Sequence, residues 1–82
     1  MLSKEISASE TLARNVLRIR KEMCPANKKQ FTQEQFAEIC RISVRYVRKI
    51  ESGLANPTLQ ILEKIAAGAG VSISALLSLQ DD

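Results

Sequence analysis

An all-α fold, one compact domain of five helices, follows from three features of these 82 residues. Apolar residues recur at helical spacing nearly throughout and nowhere alternate convincingly as in a half-buried strand. Ser7, Thr32, Ser43 and Ser72 each stand just before an apolar run, where a side-chain oxygen can satisfy the free N–H groups of a helix start. Pro25, Gly53, Pro57, Gly68 and Gly70 fall between the runs, where chains leave helices.

The first helix should run from about Ser9 to Met23. Ser7 and Glu10 have capping-box spacing, and Leu12, Val16, Ile19 and Met23 follow on one face before Pro25 stops the helix. The segment from Cys24 to Phe31 (CPANKKQF) is a connection rich in turn formers and lysine. Thr32 and Gln35 make a second capping box, and Phe36, Ala37, Ile39 and Cys40 supply the inner face of a helix from Gln33 to Cys40. Ser43 should cap a third helix, Val44 to Ser52, with Gly53 ending it. Asn56-Pro57-Thr58 punctuates, Pro57 being tolerated only before or in a first turn. Leu59, Leu62, Ile65 and Ala66 then give a fourth amphipathic helix, closing around Gly68 or Gly70. Ser72 can cap a short last helix carrying Ile73, Leu76, Leu77 and Leu79. Residues 1–8 read as an N-terminal extension, 9–79 as the domain, and Gln80-Asp81-Asp82 as a polar tail, without repeats or a second domain.

Composition narrows the function classes. Apolar residues at 45% suffice for one helical core and are too many for a disordered tail. Histidine is absent, which removes the usual general base and the commonest metal ligand. No glycine-rich phosphate loop and no paired nucleophile and base stand in for it, so neither an enzyme nor a cofactor is expected. Cys24 and Cys40 are not spaced as a metal pair, and Cys40 falls on an apolar helical position; two reduced thiols are expected rather than a bridge, and no metal site. The start, MLSKEISASE, lacks an apolar signal region, and no run approaches the roughly 18 apolar residues of a membrane span. A cytoplasmic protein without a membrane partner is the expectation. The net charge of +3 and pI near 9.1 permit a polyanionic partner, but local clustering is the better evidence.

That clustering lies between Thr32 and Gly53, TQEQFAEICRISVRYVRKIESG. With Val44 at zero and about 100° per residue, Arg48, Arg45 and Lys49 fall near 40°, 100° and 140°, whereas Tyr46, Ile50 and Val47 fall near 200°, 240° and 300°. The apolar side packs the helix onto the domain, so the basic side faces out. A solvated basic face is one explanation. Two short capped helices joined by a tight turn and closed by glycine make a reader of DNA the simpler one.

The unit resembles the helix-turn-helix of the Cro and lambda-repressor-like family, also called the xenobiotic-response-element class. The matching residues are Gln33 after Thr32, Ala37, Ile42-Ser43, and Val47, Ile50 and Glu51 before Gly53. The resemblance continues through Asn56-Pro57-Thr58-Leu59, Ile65-Ala66 and Val71-Ser72-Ile73, and covers about Leu12 to Leu79. It implies a lambda-repressor-like DNA-binding domain whose motif is formed by helices two and three. Two departures stand out: Arg41 occupies the turn where the family often has Gly, and the connection from Met23 to Phe31 is longer than usual. The first asks a non-Gly residue to accept φ > 0. The second lengthens the loop before the helix-two N-terminus, which lies against the sugar-phosphate backbone in such complexes.

In family terms helix three is the recognition helix in the major groove. The resemblance then makes Val44, Arg45 and Lys49 base-facing, with Arg48 reaching bases or the flanking phosphate. Arg45 can fork onto O6 and N7 of a guanine, Lys49 can do so more loosely, and Val44 can meet a thymine methyl. Gln33, opening helix two at its positive dipole end, is the foremost phosphate contact. Ser43, Tyr46 and Asn56 are weaker ones, Ser43 having the alternative of a simple cap and Tyr46 of packing at the rim. Lys28 and Lys29 can reach the backbone from the loop or simply be solvated. Arg20 and Glu51 correspond to a pair that bridges helix one to the end of helix three. Ile73, Leu76, Leu77 and Leu79 either close the monomer core or face a second copy. The expected function is a sequence-specific regulator of transcription, a repressor of the Cro-like kind, binding double-stranded DNA as a homodimer on two-fold-related half-sites. An antitoxin-like or other interaction module, with its basic face on an acidic protein partner, is the alternative.

Overall fold

The structure, a computed structural model, describes residues 7–79. Residues 1–6 of the expected extension and the tail Gln80–Asp82 lie outside them. Five α-helices follow in order: α1 (Ala8–Glu22), α2 (Gln33–Cys40), α3 (Val44–Glu51), α4 (Leu59–Ala69) and α5 (Ile73–Leu77), with no strand among the described residues. Helix α1 packs on α3 and α5, α2 on α3 and α4, and α4 on α5. Leu12 and Val16 of α1, Phe36 of α2, Val47 and Ile50 of α3, Ile65 of α4 and Leu76 of α5 meet in one buried core.

Every helix begins on a hydroxyl. Ser7, Thr32, Ser43, Thr58 and Ser72 each accept a hydrogen bond from the backbone N–H three residues on, and Ser7–Glu10 and Thr32–Gln35 complete capping boxes. Because Ser7 is the cap, α1 starts at Ala8, one residue before the start expected from the apolar spacing. Thr58 adds a cap beyond those expected, following Pro57 and immediately preceding α4.

Helices α2, α3 and α4 end alike. Arg41, Gly53 and Gly70 take left-handed φ values of 62°, 84° and 72°. The next residues, Ile42, Leu54 and Val71, donate their N–H groups back to the carbonyls of Ala37, Lys49 and Ala66. Two of these stops are glycines. At Arg41 the same geometry costs a side-chain-bearing residue about 1–2 kcal/mol, and it turns Ile42 onto the core.

Gly68, expected as a possible helix end, instead lies inside α4 and sets its distance from α2. A Cβ there would stand 2.8 Å from Cys40 Sγ and 2.9 Å from Cys40 Cα, so only glycine admits this helix crossing. Both cysteines are free. Burial pushes the Cys40 thiol up to about 11, so it remains protonated and serves as packing.

Two apolar residues assigned inward by spacing, Ile39 and Leu59, point outward. Ile39 is 46% exposed, because the packed arc of α2 runs through Phe36, Ala37 and Cys40 and leaves it about 60° outside. Leu59, 74% exposed, opens α4 one turn before its first buried residue, Leu62. Helix α5 stops at Leu77, so Leu79 lies beyond it rather than on it.

Helix α5 has five residues, too few to hold itself together, and α1 anchors it. Asn15, buried among the apolar residues of α1, donates its amide to the carbonyls of Leu76 (2.7 Å), Ser78 (2.9 Å) and Ala75 (3.4 Å). The carbonyls of Ala75 and Leu76 lie in the last turn of α5 with no partner within it, and that of Ser78 directly follows the helix.

Candidate nucleic-acid interface

The face presented by α2, its turn and α3 is built from the core outward. Val47 and Ile50 are buried and seat α3, while Arg45, Arg48 and Lys49 are exposed on its other side. Val44 and Tyr46 are half-buried and pack at the margin of the core. Ser43 Oγ accepts the Tyr46 N–H at 3.0 Å, so its hydroxyl serves as a cap. Arg41, Asn56, Lys28 and Lys29 are exposed around this face or in the segments leading to it.

An ionic brace ties the elements together. Arg20 of α1 donates from Nε to Glu51 Oε2 at 2.6 Å and from Nη2 to Glu51 Oε1 at 3.0 Å. Its Nη1 donates to the carbonyl of Phe31 at 2.6 Å, fixing the far end of the long loop where it enters α2. Gln33, the first residue of α2, donates Nε2 to the same Glu51 Oε1 at 2.9 Å. One carboxylate at the end of α3 is thereby joined to α1 and to α2, directly or through the guanidinium. The side chains of Arg20 and Glu51 are 13% and 8% exposed, so little water competes with these bonds. A second ion pair is of another kind: Arg48 Nη2 and Glu34 Oε2 are 3.3 Å apart with both side chains more than half exposed.

The geometry is that of two short helices held at a fixed angle, the second with a basic outer side. A family model described as helix-turn-helix matches residues 19–76, which takes in α2 through most of α5. The chain belongs to the Cro and lambda-repressor-like helix-turn-helix family. Over 67 residues, 82% of its length, it is 34% identical to an immunity repressor protein of Bacillus phage phi105, of which it spans 42%. It is 41% identical over 51 residues to control protein C.MunI of Mycoplasma sp, covering 62% of this chain and 69% of that one. Among solved structures, a hypothetical transcription factor from Neisseria, NHTF, superimposes with a TM-score of 0.78 at 28% identity, over 96% of this chain and 88% of the other. The chain thus spans less than half the length of the phage repressor.

In this helix-turn-helix protein the expected site residues do not all share one environment. Arg45 and Lys49 project freely from α3, whereas Arg48 leans on Glu34. Gln33 is half-buried with one amide N–H on Glu51, leaving its second N–H and its oxygen for another partner. Of the two roles open to Leu76, it takes the core one, being fully buried; Ile73 is half-buried, and Leu77 and Leu79 are 42% and 68% exposed.

Sequence reasoning missed three participants. Gln33 appeared as a phosphate contact but not as a link to Glu51, 18 residues on, and no local pattern announces that bond. Glu34 pairs with Arg48, 14 residues on, and no local pattern announces that contact either. Asn15 did carry a signal: it falls about 60° from Leu12, on the apolar face of α1, where a polar residue needs a buried partner.

Proposed function

We propose that this protein is a sequence-specific double-stranded DNA-binding regulator of transcription that acts as a homodimer in the cytoplasm, without a cofactor or catalytic step. The observation that carries this reading is the outer side of α3, where Arg45 and Lys49 stand exposed on a helix whose angle is held by the Arg20–Glu51 brace. Arg45 would fork onto a guanine, Lys49 would meet a neighbouring base edge, and Val44 would offer its methyls to a thymine. Arg48 would lie over the flanking strand. Gln33 would hold a phosphate at the start of α2, aided by backbone N–H groups there, with Ser43, Tyr46, Asn56, Lys28 and Lys29 extending the backbone contacts. The likeness to an immunity repressor and to a hypothetical transcription factor supports this role.

One recognition helix reads too few base pairs to select a site in a genome, which favours a dimer on half-sites about one helical turn apart. Leu77 and Leu79, exposed at the α5 end with Ile73 beside them, offer the second copy an apolar surface. Occupancy of promoter DNA would then block or recruit polymerase.

Selection from a random pool of duplexes tests the proposal. The expected product is a two-fold-symmetric site. With Arg45→Ala it should relax at one base pair per half-site, by the roughly 1–3 kcal/mol that a bidentate guanine contact discriminates. Enrichment of no sequence would instead favour a protein-interaction module with an acidic partner.

A further inference from the structure

We infer that Glu34 is an internal competitor for Arg48 that weakens indiscriminate attraction to DNA; this rests on the DNA-reading role proposed above. Arg48 is the basic residue of α3 that is held by an acid on the helix-turn-helix face, at 3.3 Å from the Glu34 carboxylate. Of the other acids between Thr32 and Gly53, Glu51 is occupied by Arg20 and Gln33, and Glu38 makes no ion pair among the described residues. Arg45 and Lys49 make no ion pair among the described residues.

The form of the contact decides between two roles. A carboxylate that buttresses an arginine for base reading would fix it through two parallel bonds in a shielded setting. Here one nitrogen of Arg48 meets one oxygen of Glu34, and the side chains are 56% and 65% exposed. Such a pair contributes little to folding and fixes no orientation. It does place a negative charge in the first turn of α2, beside the helix start where a phosphate would dock. Glu34 therefore occupies Arg48 much as a phosphate oxygen would, and any DNA must displace it to recruit that arginine. The penalty is one and the same factor in every complex that recruits Arg48, but it is the larger share of the affinity where backbone charge alone holds the complex, since a specific complex adds base contacts through Arg45 and Lys49.

The test is a double-mutant cycle on an arbitrary duplex of unselected sequence, with affinities taken across a salt series. Glu34→Gln should tighten binding about two- to fivefold, the range of one exposed charge pair. It should also steepen the slope of log K against log salt by about 0.9, the counterion equivalent of one newly engaged arginine. In the background of Arg48→Ala that gain should fall to less than half. Because both residues are exposed, the thermal midpoints of all variants should stay near that of the wild type. Unchanged or weaker binding by Glu34→Gln would overturn the inference in favour of a buttress or a bystander. An undiminished gain without Arg48 would overturn it too, since Glu34 would then repel phosphate directly. If the wild-type protein binds no duplex in a salt-dependent way, the DNA-reading role itself fails, and this is seen before any variant is compared.

Discussion

Arg20→Met and Glu51→Leu should each lower the unfolding free energy by about 3 kcal/mol, the low end of what breaking a buried ion pair costs. For a domain of this size that is a fall in thermal midpoint of roughly 12–24 °C. The two should not be equal. Without Glu51, the Arg20 guanidinium keeps its bond to the Phe31 carbonyl, and its side chain is slightly the more exposed of the two. Without Arg20, the Glu51 carboxylate keeps only the Gln33 amide, a neutral donor, and remains a buried negative charge. Arg20→Met is therefore the more damaging change. The double variant should lose clearly less than the sum, because neither charge is then stranded. Thermal melts of the four proteins check this. Single-variant losses within about 1 kcal/mol would mean that the pair behaves as a surface bridge. Since the brace aims α3 and holds Gln33, the folded fraction of either variant should also bind operator more weakly.

Asn15→Asp should cost at least as much as the loss of the ion pair, and more than Asn15→Ala. The amide of Asn15 satisfies carbonyls at the end of α5, one of those bonds being fully buried. Truncation to alanine leaves those carbonyls without a protein donor, at about 1–3 kcal/mol for each that stays dry. The isosteric carboxylate adds repulsion, because it turns an acceptor toward acceptors. The sign of the pH dependence separates the two variants. The carboxyl introduced at position 15 would have a folded pKa above its unfolded value of about 3.9, since only its protonated form can donate to a carbonyl. The fold is then most stable with the group protonated, below about pH 3.9, and that stability is lost as pH rises through the folded value. Denaturant unfolding of Asn15→Asp relative to Asn15→Ala should therefore improve on acidification; a constant difference across pH would contradict the donor role.

The segment from Thr32 to Gly53 was the most legible part of the chain because its signals are local. Each cap lies within three residues of the N–H it satisfies, and the split of α3 into a basic and an apolar side needs only the helical repeat. Arg41 in the left-handed region follows from the same reasoning, since α2 must stop there and Ile42 must turn inward. What stayed hidden depends on distance along the chain. Gly68 reads as a helix stop until α2 is seen against it, with Cys40 filling the place of its missing Cβ. Leu59 and Ile39 have the right character for a core, but only the neighbouring helices determine that no partner lies over them. The Arg20–Glu51 pair spans 31 positions and was foreseeable through the family resemblance alone, while Gln33 joining it required coordinates.

On the proposed function, α3, held by its brace, reads bases from the major groove. Interference by methylation of guanine N7 addresses it directly, because N7 lies in that groove and is one of the two atoms an arginine fork requires. On a selected duplex, methylation at one guanine per half-site should abolish binding by the wild-type protein and leave the weaker binding of Arg45→Ala unaffected. Binding indifferent to N7 methylation, or interference that persists unchanged in Arg45→Ala, would contradict it.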